Sequence, residues 1–225
     1  MVYILIRTTH IKFIIIEMAS KKQTRSVPIF GGDLSGDVIH PISTSEAIVQ
    51  WEKQTNQSAQ QAKEMMLNGH YPPINIMDSS IEKLLRCEKL SLSTNLIERI
   101  AHLNGLRHLK ILSLGRNLLT NLLPLEMISE TLEELWISYN SIQRFDGILT
   151  MKKLRVLYIS NNQIKEWSEI RRLSTIVTLE DLVLYGNPLH IEWEKGEDAW
   201  IETIQKLIKS LKKLDGVFLK RDNDI

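Results

Sequence analysis

Between Cys87 and Leu189 the chain repeats one pattern five times. Aligned on L-x-x-L-x-L-x-x-N-x-L, the segments are CEKLSLSTNLI from Cys87, LKILSLGRNLL from Leu109, LEELWISYNSI from Leu132, LRVLYISNNQI from Leu154 and LEDLVLYGNPL from Leu179. Their starts step by 22, 23, 22 and 25 residues, and one asparagine keeps register in each: Asn95, Asn117, Asn140, Asn162 and Asn187. A unit this short cannot bury its own apolar face. Each copy must therefore lean on the next, and the copies must stack around one continuous core.

Period and pattern are those of leucine-rich repeats. The expected fold class is α/β, a solenoid with a parallel β-sheet on its concave face and helical caps at both ends. Pairs such as Leu112 and Leu114, or Leu135 and Ile137, point inward from a short strand. Each register asparagine is expected to bond backbone groups in the turn leaving that strand, forming a structural ladder. The apolar residues that follow (Ile97 and Ile100, Leu119 and Leu122, Ile142 and Phe145, Ile164 and Trp167) fill the convex side. Cys87 stands where later copies have leucine and reads as a small buried side chain, not a reactive thiol.

Helical spacing over 45–54 (Ala47, Ile48, Trp51) and over 58–67 (Ala62, Met65, Met66) predicts two helices closed by Tyr71-Pro72-Pro73. Downstream, Trp200, Ile201, Ile204, Leu207, Ile208 and Leu211 share one face of a helix predicted over 198–210, and LKKLDGV then closes the solenoid. The expected organisation is an extension and disordered tail (1–42), an N-terminal helical cap (43–76), the repeats (77–190), and a C-terminal helical cap and tail (191–225). The opening MVYILIRTTHIKFIII is apolar, but Arg7, His10 and Lys12 interrupt it short of the ~18–20 residues a membrane helix needs. Those charges lie inside the apolar run, where a secretory signal would carry them ahead of it. Met18-Ala-Ser-Lys-Lys resembles an ordinary cytosolic start, so residues 1–17 read as a mispredicted start or a dispensable extension. GGDLSGD lacks the Lys-Ser/Thr of a phosphate loop.

The solvent-facing strand positions form five triplets: Lys89, Ser91, Ser93; Ile111, Ser113, Gly115; Glu134, Trp136, Ser138; Val156, Tyr158, Ser160; and Asp181, Val183, Tyr185. Trp136, Tyr158, Val183 and Tyr185, with Ile111 and Val156, are expected to make one apolar patch across four strands. Three aromatics can bury roughly 450–750 Å², close to one partner's share of about 800 Å² in a standard interface. Four strand spacings span about 19 Å, wide enough for a helix or a helix pair. These six side chains are the candidate partner-binding residues.

Composition narrows the remaining choices. With 28 basic and 27 acidic residues the formal charge is +1, against nucleic acid as the dominant partner. One cysteine excludes an internal disulfide and a Cys-rich zinc site. Six scattered histidines show no metal-ligand spacing, and no catalytic motif is present. No cofactor, metal, membrane or enzymatic activity is expected, and the chain alone is expected to be monomeric. Lys206, Lys209, Lys212 and Lys213 of the terminal helix and cap form a candidate electrostatic contact.

CEKLSLSTN, LNGLRHLKILSLGRN, TLEELWISYN, MKKLRVLYISNNQI, LEDLVLYGNPL and LKKLDG together resemble the leucine-rich-repeat light chains of axonemal outer-arm dynein. The resemblance runs from about Ala19 to the end and includes EAIVQWEKQT and YPPI. It implies a non-enzymatic subunit of the ciliary axoneme that binds a dynein heavy chain near the microtubule-binding tip of its stalk and tunes motor activity. A contact of the four lysines with tubulin would follow. The amino-terminal extension and the short KRDNDI tail depart from the family. A regulatory subunit of a protein phosphatase, and an adaptor in an RNA-processing particle, are the alternatives a concave repeat face leaves open.

Overall fold

The computed structural model describes residues 39–220. The chain divides into two units, Met1–His40 and Pro41–Ile225, and every helix and strand of the described residues belongs to the second. The expectations for residues 1–38 and 221–225 lie outside the described residues.

The elements are β1 (Ile42–Ser43), α1 (Thr44–Thr55), β2 (Glu64–Met66), β3 (Ile74–Ile76), β4 (Lys89–Ser91), β5 (Ile111–Ser113), β6 (Glu134–Trp136), β7 (Val156–Tyr158), α2 (Trp167–Leu173), β8 (Asp181–Val183), α3 (Pro188–Ile191), α4 (Glu197–Leu207), β9 (Lys213–Leu214) and β10 (Val217–Phe218). Eight strands form one sheet in the order β10-β9-β8-β7-β6-β5-β4-β2. All pairs in it are parallel except β10 with β9. The pairing register sets Met65, Leu90, Leu112, Leu135, Leu157, Leu182 and Leu214 side by side. All seven are fully buried, forming the central row of the core.

The turn leaving each strand repeats as closely as the strand does. Its residue before the register asparagine is left-handed in every coil: Thr94, Arg116, Tyr139 and Asn161 at φ of 52 to 60°, with Gly69 and Gly186 at the ends. The asparagine then stitches two coils together. The Nδ2 of Asn140 donates to Leu114 O and Ile137 O, both at 3.0 Å, while its Oδ1 accepts the Leu119 N–H at 3.0 Å. Asn95, Asn117, Asn162 and Asn187 repeat the arrangement, and all five are buried. Backbone groups that the turn would leave unpaired inside the core are satisfied in this way.

The helix predicted over 45–54 forms as α1, with Ser43 and Glu46 in a reciprocal capping box. The helix predicted over 58–67 does not form. Residues 64–66 are instead the edge strand β2, and Leu67 N–H and Gly69 N–H bond Ser91 O and Ser93 O. Ala62, Met65 and Leu67 take the three leucine positions of a sixth coil, Gly69 supplies its left-handed turn, and His70 stands at the asparagine position. The i, i+3, i+4 spacing of Ala62, Met65 and Met66 imitates a helix face. Tertiary pairing with β4 overrides that local preference. The terminal helix ends at Leu207, three residues before its predicted end, so Lys212 and Lys213 lie at the last coil, Lys213 within β9.

On the convex side the coils approach closely. Gly147 has φ +94°, and a Cβ there would sit 2.0 Å from Leu122 O, a position that admits only glycine. Along the flank, the residue after the first leucine position alternates in charge: Lys63, Glu88, Lys110, Glu133, Arg155, Glu180, Lys212. Ion pairs join Glu88 to Lys63 at 3.4 Å and Lys110 at 2.7 Å, and Glu180 to Arg155 at 3.2 Å and Lys212 at 2.5 Å.

Candidate partner-binding face

Strand alternation sends every second side chain to the concave face, and parallel register lines these up in rows. One row reads Met66, Ser91, Ser113, Trp136, Tyr158, Val183. The next reads Glu64, Lys89, Ile111, Glu134, Val156, Asp181, Lys213. Trp136 and Tyr158 are therefore lateral neighbours, and their rings stack at 5.9 Å with 16° between planes. The Trp136 side is open, with 41% of the residue exposed. Tyr158 is half-buried, and its hydroxyl donates to Asp181 Oδ2 at 3.0 Å. Asp181 also pairs with Lys213 at 3.2 Å. Burial, together with the bond to Asp181, pushes the Tyr158 hydroxyl pKa up, so at neutral pH it stays a neutral donor. The bond to Asp181 likewise raises the Lys213 pKa.

The six residues singled out from sequence do not form one unbroken patch. Trp136, Tyr158 and Val183 are consecutive in their row. Ile111 and Val156, in the other row, are separated by Glu134. Tyr185 lies beyond the end of β8, 56% exposed, and its ring contacts His190 at 4.7 Å instead of Tyr158. His190 in turn meets Trp200 edge-on at 5.0 Å. The far rim is polar: Ser160 Oγ donates to Ser138 Oγ at 2.9 Å, and Arg116 lies 4.3 Å over the Tyr139 ring.

The four lysines are dispersed. Lys206 pairs with Glu202 within α4 at 2.6 Å. Lys212 is held by Glu180, and Lys213 reaches Asp181 and the Phe218 ring. Among the described residues Lys209 makes no ion pair. Cys87 is fully buried, and burial pushes its thiol up to about 11, which keeps it protonated and unreactive. Among the described residues no group of three or more His, Cys, Asp or Glu could hold a metal ion.

Three further residues shape this end of the molecule without having been singled out from sequence: Glu134, His190 and Asp215. Asp215 accepts the N–H groups of Leu184 at 2.7 Å and Tyr185 at 2.8 Å and the indole N–H of Trp200 at 2.9 Å. It thereby ties α4 to the coil that carries Tyr185. The alternation of the strands could have flagged Glu134, the one acid flanked by two apolar positions in its row. Nothing local announces the other two, whose contacts depend on how the cap folds back.

A sheet of three-residue parallel strands, one buried asparagine per coil and an open aromatic face define a short, capped leucine-rich-repeat protein. Residues 130–172 match the family model described as Leucine Rich repeats (2 copies). Among solved structures, a leucine-rich-repeat protein of Leptospira interrogans is similar with a TM-score of 0.53 and 27% identity, over 68% of this chain and 37% of that one. The leucine-rich repeat domain of APL1B has a TM-score of 0.51 at 19% identity, over 66% of this chain and 44% of that one. This chain thus spans under half of either structure, and the likeness to the second concerns the fold alone. Dynein axonemal light chain 1 of Danio rerio and of Homo sapiens are each 54% identical over 171 residues, 76% of this chain and 88% and 90% of theirs. The Chlamydomonas reinhardtii protein of that name is 45% identical over 175 residues, 76% of this chain and 88% of its own. The chain belongs to the dynein axonemal light chain 1 family.

Proposed function

We propose that this chain is a non-catalytic light chain of an axonemal dynein in the ciliary cytoskeleton, and that it seats a segment of a dynein heavy chain across its concave sheet. The observation that carries this reading is the stacked Trp136–Tyr158 pair, with Trp136 open to solvent and Val183 on the far side of Tyr158. Tryptophan and tyrosine at the centre of a face of mixed apolar and polar residues are favoured anchors of protein interfaces. The anchor is also preorganised. Tyr158 is pinned by Asp181, and Asp181 by Lys213, so little side-chain freedom remains to be lost on binding.

A direct contact with tubulin through Lys206, Lys209, Lys212 and Lys213 draws less support. Three of the four already neutralise carboxylates of this chain, and they do not share a surface row.

The test is an affinity capture from ciliary extract with tagged wild type and the Trp136→Ala/Tyr158→Ala variant side by side. Wild type is expected to bring down a dynein heavy chain, and Trp136→Ala alone to weaken that binding by ~2 kcal/mol or more with the fold unchanged. Equal recovery by both proteins would move the contact off the concave face. Recovery of a phosphatase catalytic subunit instead would leave the fold standing and refute the function.

A further inference from the structure

Among the described residues the Glu134 carboxylate has no partner of its own, between the apolar Ile111 and Val156 of the neighbouring strands. Every other acid in its row is neutralised by the neighbouring coil: Glu64 by Lys89 at 3.6 Å and Asp181 by Lys213 at 3.2 Å. The coils on either side of Glu134 offer it Ile111 and Val156, neither of whose side chains can donate a hydrogen bond. The nearest cations along the chain on those coils, Lys110 and Arg155, are engaged by Glu88 at 2.7 Å and Glu180 at 3.2 Å. Among the described residues the Glu134 carboxylate makes no ion pair and no hydrogen bond. Two residues along the same strand stands Trp136, whose ring face attracts cations.

We infer that Glu134 is a specificity-determining residue of the concave face, and that the segment seated there carries a lysine or arginine among apolar side chains. This inference rests on the proposed use of that face and adds what its occupant must present. A half-buried carboxylate between two aliphatic side chains is tolerated in the free protein because water still reaches it. Covering the face removes that water, and an uncompensated buried carboxylate would then oppose binding. A wholly apolar partner is rejected on that ground. A partner whose ammonium or guanidinium lies over Glu134 and beside the Trp136 ring gains a charge-assisted bond in a partly desolvated setting. Attraction and rejection thus act at one position, which is how discrimination between partners is built.

The experiment measures binding of the full-length chain and its Glu134→Gln, Glu134→Lys and Trp136→Ala variants to purified axonemal dynein heavy chain stripped of light chains. Sodium chloride is varied from about 50 to about 500 mM, across which the screening length shortens severalfold, and circular dichroism confirms the fold of each variant. Glu134→Gln is expected to weaken binding about tenfold at low salt and to flatten the salt dependence, with Glu134→Lys weakening it further. If Trp136→Ala weakens binding while Glu134→Gln binds as wild type with an unchanged salt slope, the occupant has no cation there and this inference falls alone. If neither variant changes binding, the use of the concave face falls, and this inference with it.

Discussion

Removing one rung of the asparagine ladder has a cost that can be worked bond by bond. In Asn140→Ala the Leu119 N–H loses its side-chain partner, Asn140 Oδ1, and a buried unsatisfied donor costs about 1–3 kcal/mol. Leu114 O and Ile137 O each lose one of two side-chain donors but keep Asn117 Nδ2 and Asn162 Nδ2 respectively. The single variant should therefore lose about 3 kcal/mol, near the top of that range. In Asn117→Ala/Asn140→Ala, Leu114 O loses both of its side-chain donors. The double variant should then fall below the sum of the singles by about 1–2 kcal/mol. Asn95→Ala/Asn162→Ala shares no carbonyl between its two sites and should be additive. Equilibrium urea unfolding followed by tryptophan fluorescence measures all of these. At a slope of about 2 kcal/mol/M the single variant shifts the midpoint by about 1.5 M. The exposed Ser141→Ala on the same coil serves as control. Additivity of the Asn117/Asn140 pair within about 0.5 kcal/mol, or an Asn140→Ala loss no larger than the control's, would refute the ladder reasoning.

Two further outcomes can be checked in the same apparatus. Asp215→Ala deprives three N–H groups of their acceptor. It should cost about 3–5 kcal/mol and shift Trp200 emission to the red as α4 loosens; an unshifted spectrum would mean that apolar packing alone holds the helix. For Asp78, burial raises the carboxyl pKa, but bonds from Ser80, Ser45 and their neighbours outweigh it and hold it at about 2 against an ordinary 3.8. A folded value below the unfolded one means the stabilisation is full above 3.8 and is lost as pH falls toward about 2. Discounted for solvent screening, it amounts to about 1 kcal/mol. Asp78→Asn should flatten the stability curve between about pH 4 and about pH 2, and an unchanged curve would place the acid sensitivity elsewhere.

The repeats, the inward leucines and the ladder are legible because they are periodic, and a period of 22 to 25 residues states its own geometry. The first coil escapes a sequence reading for a physical reason. Ala62, Met65 and His70 carry neither the leucine nor the asparagine signal, and their neighbours fit a helix face equally well. Which side chains share the concave face follows from strand alternation alone. What they touch does not. In the sequence Lys212 and Lys213 have no acid within a helical turn except Asp215, yet Lys212 meets Glu180 across 32 residues and Lys213 meets Asp181 across the same separation; only the coil-to-coil register brings these charges together. Extending the strand register sets Tyr185 beside Ser160 on the concave face, whereas its ring, beyond the end of β8, turns to the cap and meets His190.

The flanking charges that alternate from Lys63 to Lys212 also govern how a molecule of this kind can change in length. Excising one coil, or duplicating one, would set like charges side by side across the splice. Excising or duplicating two in succession leaves the alternation intact. The arithmetic of the flank is therefore even: gain or loss of coils in pairs keeps the alternation, whereas a chain altered by a single internal coil carries a like-charge mismatch at its seam until a substitution reverses the sign.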